Sequence, residues 1–195
     1  MFARIDPAPI AAASLAQVHE AELRDGTRVV IKVQMPDIEH TAEIDLTAFI
    51  IAADITNELF PVLGLPEISR ALAASVRKEL DYGKELANIK AFHKQFASEP
   101  RVVVPTVYPD LSTRRILTME KLEGERLIPF LEAAAPDRRN RLLALIAESF
   151  CSQIVTHGFF HADPHPGNMF VLPGDRLGCL GAASQCDNQQ DDGGD

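Results

Sequence analysis

The sequence lacks tryptophan altogether and has only two tyrosines and three cysteines in 195 residues. The cysteines are Cys151, Cys179 and Cys186, an odd number without a Cys-x-x-Cys spacing. This pattern fits neither a disulfide framework nor a cysteine-based zinc site, and it is typical of a reducing compartment. On this ground we expect a cytoplasmic protein.

A long hydrophobic run, a signal peptide and an excess of basic residues are also missing. The opening MFARIDPAPIAAAS has no basic region followed by an apolar stretch, so no signal peptide is expected. The apolar run in IDLTAFIIAADI is bracketed by Asp45 and Asp54, which favours a buried helix over a membrane span. The net charge of -9 argues against a nucleic-acid binder, because phosphate contacts need clustered Lys and Arg.

Residues 9–35 have the pattern of a small antiparallel sheet. Two β-like runs, AQVHEAEL and TRVVIKVQ, are separated by Arg-Asp-Gly, and Asp-Gly is a strong hairpin signal. Strand alternation places Val30, Lys32 and Gln34 on one face and Ile31 and Val33 on the other. Lys32 is therefore predicted to stand among aliphatic side chains on a strand.

Helical periodicity follows at 37–60, 66–97 and 133–158. The predicted buried stripe of the second helix is Ile68, Leu72, Val76 and Leu80. Its acidic residues are Glu79, Asp81 and Glu85, of which the last two share a face of a continuous helix. The third helix is expected to begin with Asp137 as its N-cap. Its predicted buried stripe is Leu142, Leu143, Ile146, Phe150 and Ile154.

The polar loop HADPHPGN lies between the third helix and a hairpin that turns at Pro-Gly-Asp. Two prolines two residues apart exclude a helix here. The spacing of Asp163 and Asn168 after His161 is the catalytic-loop pattern of protein kinases. Asp163 would accept the hydroxyl proton or orient the acceptor, Asn168 would hold a magnesium ion, and His161 would brace the loop.

Two further roles in phosphoryl transfer have candidates upstream. Lys32 would contact the nucleotide phosphates, and Glu85, one helix later, would hold this lysine. The loop that should cover the phosphates is alanine-rich, and alanine disfavours the positive φ angles that close backbone approach requires. The candidate nucleotide-binding residues are Ala11, Ala12, Ala13, Ser14, Val30, Lys32 and Glu120.

A metal site is the alternative interpretation of HADPHPGN. His161, Asp163 and His165 alternate along the loop, so an extended segment could present all three on one side. Such sites usually take ligands from more than one segment. The remaining histidines form no second cluster in the sequence, which weighs against zinc or iron hydrolysis.

Taken together, five motifs resemble the UbiB/AarF/ADCK atypical kinase-like family over about residues 9–180: PIAAASLAQVH, VVIKVQ, KELDYGKELAN, VYPDLSTRRILTME and HGFFHADPHPGNMFV. The resemblance implies an α+β, protein-kinase-like bilobal fold that binds ATP or ADP with magnesium. Members of the family support ubiquinone (coenzyme Q) biosynthesis and lipid-related processes, and ATPase activity is better supported than protein phosphorylation. Quinone-biosynthesis proteins or lipids are the implied partners, and peripheral membrane association is common.

The resemblance also assigns roles by position. Lys32 corresponds to the phosphate-binding lysine and Glu85 to its helix partner, while Glu79 and Asp81 match the family's E-x-D motif. The alanine-rich loop is itself a family feature. We expect a kinase-like N-lobe at 1–123, the first part of a C-lobe at 124–180 and a disordered acidic tail at 181–195.

Two family motifs are missing. A K-x-G-Q motif is expected upstream of PIAAAS, and an Asp-Phe-Gly motif with a magnesium-binding aspartate is expected where the chain reads Gly181-Ala182-Ala183. A break in the reading frame near Leu180 is our hypothesis for this difference. We accordingly expect a fragment of marginal stability with weak nucleotide binding and little activity.

Two other functions are compatible with part of the pattern. A catalytically dead interaction module or pseudogene product is favoured by the missing aspartate. A small-molecule phosphotransferase of the aminoglycoside or choline kinase type also uses an H-x-D-x-x-x-x-N loop. The motifs PIAAAS and KELDYGKE argue against this second function. A shared fold does not by itself fix the substrate.

Overall fold

The structure is a computed structural model that describes residues 1–12, 15–61, 64–157, 159–161, 165–180 and 183–185. Its strands are β1 (Phe2–Ala12), β2 (Ala16–Leu23), β3 (Arg28–Gln34), β4 (Val102–Val103), β5 (Ile116–Glu120), β6 (Glu125–Arg126), β7 (Phe159–His161), β8 (Met169–Leu172), β9 (Arg176–Cys179) and β10 (Ala183–Gln185). Its helices are α1 (Ile38–Leu59), α2 (Leu65–Glu79), α3 (Tyr82–Gln95), α4 (Leu127–Ala133) and α5 (Pro136–Ser152).

Two compact units make up the chain. The first unit comprises Met1–Lys84 and Tyr108–Glu120, and the second comprises Glu85–Val107 and Lys121–Asp195. Residues 85–107 thus group with the second unit, whereas the sequence interpretation placed them in an N-lobe ending at residue 123. The division falls within α3, so this helix contributes its first three residues to one unit and its remainder to the other.

The first unit contains an antiparallel sheet in the order β1-β2-β3-β5. The predicted hairpin between β2 and β3 is confirmed, and Gly26 adopts φ 86° in its turn, a conformation that glycine accepts without steric cost. Val29 and Ile31 pack with Ala21 and Leu23 on one face of the sheet, together with Val33. The predicted alternation along β3 is therefore confirmed.

The predicted continuous helix over 66–97 is wrong, because the chain breaks between α2 and α3. Leu80 is buried at this joint, and its carbonyl accepts a hydrogen bond of 2.6 Å from Gln34 Nε2 on β3. Asp81 Oδ1 accepts a hydrogen bond of 3.0 Å from the backbone N–H of Gly83, in the first turn of α3. Asp81 therefore caps α3, and it does not share a helix face with Glu85.

The buried side of α2 also differs from the prediction. Ile68 and Leu72 are 57% and 49% exposed, whereas Ser69 and Ala73 are fully buried. The hydroxyl of Ser69 donates a 2.9 Å hydrogen bond to the carbonyl of Pro66. Because this bond satisfies the hydroxyl locally, burying Ser69 leaves no unpaired donor.

Helix α5 also buries a different face from the predicted one. The residues that face the interior are Leu142, Leu145, Ser149 and, just beyond the helix, Gln153. Leu143 and Ile154 from the predicted stripe are 45% and 59% exposed. Ser149 again pairs locally, donating a 2.7 Å hydrogen bond to the Leu145 carbonyl. The N-cap is Ala135 rather than the predicted Asp137, which lies in the first turn.

The second unit contains a small sheet in the order β4-β9-β8-β6. The predicted hairpin at Pro173-Gly174-Asp175 is confirmed as the antiparallel connection of β8 and β9, with Gly174 at φ 80°. In the segment VVVPTVYP, Val102–Val103 forms a regular strand, which pairs in parallel with β9. The backbone of β10 pairs with β7 within the segment that we expected to be disordered.

No helix within the described ranges combines the length and the apolar composition needed to cross a bilayer. The run IDLTAFIIAADI lies in α1, where Ile44, Ile51 and Ile55 are exposed and only Leu46 and Ala53 are buried, so the predicted buried helix is wrong.

The two described cysteines have opposite environments. Cys151 is exposed, whereas Cys179 on β9 is buried, and burial raises the pKa of its thiol to about 12. The thiolate is the reactive form of cysteine, and the raised pKa keeps Cys179 in the thiol form. We expect iodoacetamide to alkylate Cys151 in the folded protein and to spare Cys179 until denaturant is added, as read by peptide mass spectrometry. Equal rates at the two sites would contradict the buried position of β9.

Candidate functional site

Lys32 lies on β3, one of the two inner strands of the four-stranded sheet in the first unit. Its Nζ lies 4.7 Å from the centroid of the Tyr82 ring, a distance at which a cation is attracted to the face of an aromatic ring. Tyr82 is only 2% exposed, and Lys32 is half-buried. The structure thus places the predicted phosphate-binding lysine against a buried aromatic side chain.

The alanine-rich segment is in register with this lysine. Ala11 pairs with Val18 and Val18 pairs with Lys32, so the three residues form one row across β1, β2 and β3. Adjacent strands lie about 4.8 Å apart, which places the Ala11 and Lys32 backbones at ~10 Å. Ala11 and Ala12 are exposed at the end of β1, and Ala13 and Ser14 lie outside the described residues.

Val30 and Glu120 lie on opposite faces of this sheet. Val30 is two residues before Lys32 on the same face and is 7% exposed. Glu120 pairs with Val29, which belongs to the other face. Burial, together with the nearby charges of Glu120 and Asp25, raises the pKa of the Tyr108 hydroxyl, and Tyr108 packs on that other face. Only backbone atoms of Glu120 are therefore available on the side of Lys32.

The acidic candidates lie at or next to the α2–α3 joint. Glu79 is the exposed last residue of α2, and Asp81 caps α3. Glu85 is half-buried in the first turn of α3 and belongs to the second unit, whereas Lys32 belongs to the first. The pairing of Lys32 with Glu85 stays a prediction.

The described part of the polar loop is a 3-10 turn over Pro166–Asn168 that leads directly into β8. His165 Nδ1 accepts a 3.0 Å hydrogen bond from the Gly167 N–H, and the Asn168 N–H donates to the His165 carbonyl at 2.9 Å. The Leu180 N–H donates to the Asn168 carbonyl at 2.7 Å. These bonds fix the half-buried Asn168 at the start of the hairpin.

The structure describes little of the other two loop candidates, Asp163 and His161. Asp163 lies outside the described residues. His161 is described by its backbone alone, which pairs with Ala183 as part of β7. The predicted roles of Asp163 as base and His161 as brace therefore stay predictions.

A metal site receives limited support from the described side chains. Within the described ranges, no group of three or more His, Cys, Asp or Glu side chains could hold a metal ion. His165 Nδ1 is already an acceptor for Gly167, which leaves Nε2 as the remaining ring nitrogen. For magnesium, the described loop supplies one suitable oxygen, the amide of Asn168. The described donor set is thus too small for a complete magnesium site.

A surface cavity of about 290 Å³ in the second unit lies between the end of α3 and α5. Arg101 on its rim donates hydrogen bonds to Glu99 at 2.8 Å and Glu148 at 3.3 Å. The side-chain and backbone hydrogen bonds from Arg101 lower the pKa of Glu99 to about 2. Arg101 therefore pairs with both carboxylates of the cavity, which keeps one net negative charge, and none of the described site candidates lines it.

Comparison with known proteins decides the family. The family model for the ABC1 atypical kinase-like domain matches residues 1–190, nearly the whole chain. The chain belongs to the ABC1 atypical kinase-like family. This match confirms the resemblance that the five motifs carry, because relatives of the ABC1 family with the UbiB name are among the similar proteins.

Two curated relatives illustrate the similarity. "Protein ACTIVITY OF BC1 COMPLEX KINASE 8, chloroplastic" from Arabidopsis thaliana is 40% identical over 178 residues, covering 88% of this chain and 23% of that protein. "Probable protein kinase UbiB" from Marinobacter nauticus is 33% identical over 182 residues, covering 88% of this chain and 32% of that protein. The chain thus spans about a quarter to a third of the length of these curated relatives.

The solved structure of the Rv3197–erythromycin complex from Mycobacterium tuberculosis is similar at a TM-score of 0.85 with 30% sequence identity. The similarity covers 94% of this chain and 47% of that chain. The predicted α+β, protein-kinase-like fold is thereby confirmed, with an antiparallel N-lobe sheet and helices in a partial representative of the ABC1 family.

Two residues beside Lys32 were not among the predicted site residues. Tyr82 and Gln34 both lie in the quoted motifs, in KELDYGKE and VVIKVQ, but neither side chain belongs to the usual set for phosphoryl transfer. Their contacts depend on the helix break at Leu80, which helical periodicity did not reveal.

Proposed function

We propose that this chain is an adenine-nucleotide-binding domain of the ABC1 kinase-like family, in which Lys32 contacts the phosphates. The position of Lys32 supports this most directly. It lies on an inner strand of the sheet, in one row with Val18 and with Ala11 of the alanine-rich segment. A lysine on such a strand supplies a point charge that phosphate groups attract.

The other candidate residues take matching roles in this proposal. Val30 lies on the face of Lys32 and would pack against the adenine ring, and Glu120 would contact it through its backbone. The segment from Ala11 to Ser14 would cover the phosphates. Glu85 would hold Lys32, while Asp163 and Asn168 would serve the acceptor and the metal. Glu79 and Asp81 would bound the site as the E-x-D motif.

Turnover is expected to be low in this proposal. Asn168 would hold a magnesium ion, which would supply positive charge to offset the negative charge of the phosphates. The described loop offers only Asn168 for it, and the sequence Gly181-Ala182-Ala183 contains no carboxylate where the family motif has one. We therefore propose that the chain binds ATP or ADP weakly and hydrolyses little of it. The alternative function, a catalytically dead interaction module, would show the same low turnover.

The biological role is proposed from the UbiB relatives. The resemblance links such proteins to ubiquinone biosynthesis, and we extend this link to the present chain. Proteins of quinone biosynthesis, or lipids, would be its partners, and association with a membrane surface would be peripheral. These proposals concern the whole protein, since the chain spans only part of its relatives' length.

Replacement of Lys32 tests nucleotide binding. We expect isothermal titration calorimetry to detect ADP and ATP binding to the wild type and an affinity about ten-fold lower in Lys32→Ala, because a charge-assisted phosphate contact is worth about 1.5 kcal/mol or more. Titration with magnesium and with EDTA measures how much the metal contributes.

Lys78→Ala is the matched control for this experiment. Lys78 is an exposed lysine of α2 in the same unit, so its replacement should leave the nucleotide affinity within about two-fold of the wild type. An equal loss of affinity in both variants, or no binding by the wild type, would overturn the proposed role of Lys32.

A further inference from the structure

We propose that Tyr82 is a positioning residue for Lys32: its buried ring holds the lysine ammonium at the place where nucleotide phosphates are bound. The proposal rests on the nucleotide-binding function proposed above. Lys32 Nζ lies 4.7 Å from the ring centroid. Burial of Tyr82 removes competing water from the ring, and a desolvated cation–π contact is stronger than an exposed one.

Tyr82 is itself held by hydrogen bonds on both sides. Its backbone N–H donates a 3.0 Å hydrogen bond to the carbonyl of Arg114, in the segment that leads into β5. The Asp81 carboxylate accepts from the Gly83 N–H at 3.0 Å and so fixes the first turn of α3, in which Tyr82 is the first residue. The ring therefore has little freedom to move away from β3.

Gln34 joins the lysine strand to the same joint. Its Nε2 donates a 2.6 Å hydrogen bond to the carbonyl of Leu80, two residues before Tyr82. Gln34 is 7% exposed and lies on the face of β3 that carries Lys32. One strand thus supplies both the cation and the tether that keeps the aromatic ring beside it.

The contact matters because lysine has a long, flexible side chain. Four methylene groups give it many rotamers, and selecting one of them costs conformational entropy at each binding event. A ring that already holds the ammonium reduces this cost before the nucleotide arrives, which is the benefit of preorganisation. Loss of the ring should therefore weaken nucleotide binding only while Lys32 is present.

The test compares Tyr82→Phe, which keeps the ring, with Tyr82→Leu, which removes it. In protein carrying ¹³C-labelled lysine, the Lys32 ε-methylene signal, assigned by its loss in Lys32→Arg, should shift in Tyr82→Leu and stay in place in Tyr82→Phe. ADP affinity should fall about five-fold in Tyr82→Leu and less than about two-fold in Tyr82→Phe. In a Lys32→Ala background, Tyr82→Leu should cause no further loss of affinity.

Replacement of Tyr82 by 3,5-difluorophenylalanine gives a measurement that does not depend on the folding of Tyr82→Leu. This side chain nearly keeps the shape of phenylalanine and has a less negative ring face, so it should bind ADP more weakly than Tyr82→Phe does. An unmoved Lys32 signal in Tyr82→Leu, an unchanged ADP affinity, or an equal loss in the Lys32→Ala background would each overturn the positioning role. Absence of ADP binding by the wild type would instead overturn the proposed function, and the methylene shift would still decide whether the ring holds Lys32.

Discussion

Phe92→Ala is expected to lower the free energy of unfolding by about 3–5 kcal/mol, the usual cost of deleting a buried aromatic ring. Phe92 on α3 is 2% exposed, and its ring packs edge-on against Phe96 with the centroids 4.9 Å apart. The substitution removes both the apolar burial and this aromatic contact, and the surrounding side chains can close only part of the cavity. Because the chain lacks tryptophan, unfolding in urea is best followed by far-ultraviolet circular dichroism.

Phe60→Ala is the matched control for the ring deletion. Phe60 follows the end of α1 and is 67% exposed, so the same chemical change should alter the free energy of unfolding by less than about 0.5 kcal/mol. Similar losses in the two variants would show that Phe92 does not lie in a packed interior.

Leu142→Ala is expected to cost about 2–5 kcal/mol, and the neighbouring Leu143→Ala less than about 1 kcal/mol. Leu142 is 1% exposed and Leu143 is 45% exposed, although the two residues are adjacent on α5. The pair therefore measures the rotation of the helix about its own axis, since a rotation of one residue step would exchange the two results. Urea unfolding of both variants against the wild type provides the comparison.

Ser149→Ala gives a further check on this face of α5. Ser149 is buried one turn after Leu145, and its hydroxyl bonds to the Leu145 carbonyl. Alanine fits the same space and leaves no unpaired donor, so the variant should remain close to wild-type stability. Equal destabilisation by Leu142→Ala and Leu143→Ala would show that α5 buries a different face.

The buried faces of α2 and α5 were predicted wrongly for one reason. Periodicity assigns large apolar residues to the interior, yet α2 buries Ser69 and Ala73 while Ile68 and Leu72 are exposed. Close approach of a helix to its neighbour favours small side chains at the contact, and a serine is tolerated there when its hydroxyl bonds to the preceding turn. Hydrophobicity alone does not contain this information.

The break between α2 and α3 was hidden for a related reason. KELDYGKE contains residues compatible with a helix throughout, so the local sequence does not require an interruption at Leu80. The interruption is stabilised by distant partners: Gln34 from β3 bonds to the Leu80 carbonyl, and Arg114 accepts from the Tyr82 N–H. Tertiary hydrogen bonds of this kind override helix propensity.

The sequence by itself determined the local features and the family. Asp-Gly and Pro-Gly-Asp specified two hairpins, strand alternation placed Lys32 on its face of the sheet, and five ordered motifs indicated the atypical kinase-like family. Such features depend on neighbouring residues or on motif order, both of which can be read along the chain. Only the tertiary structure decided which helix faces are buried and that Tyr82 lies beneath Lys32, because these depend on contacts between segments far apart in sequence.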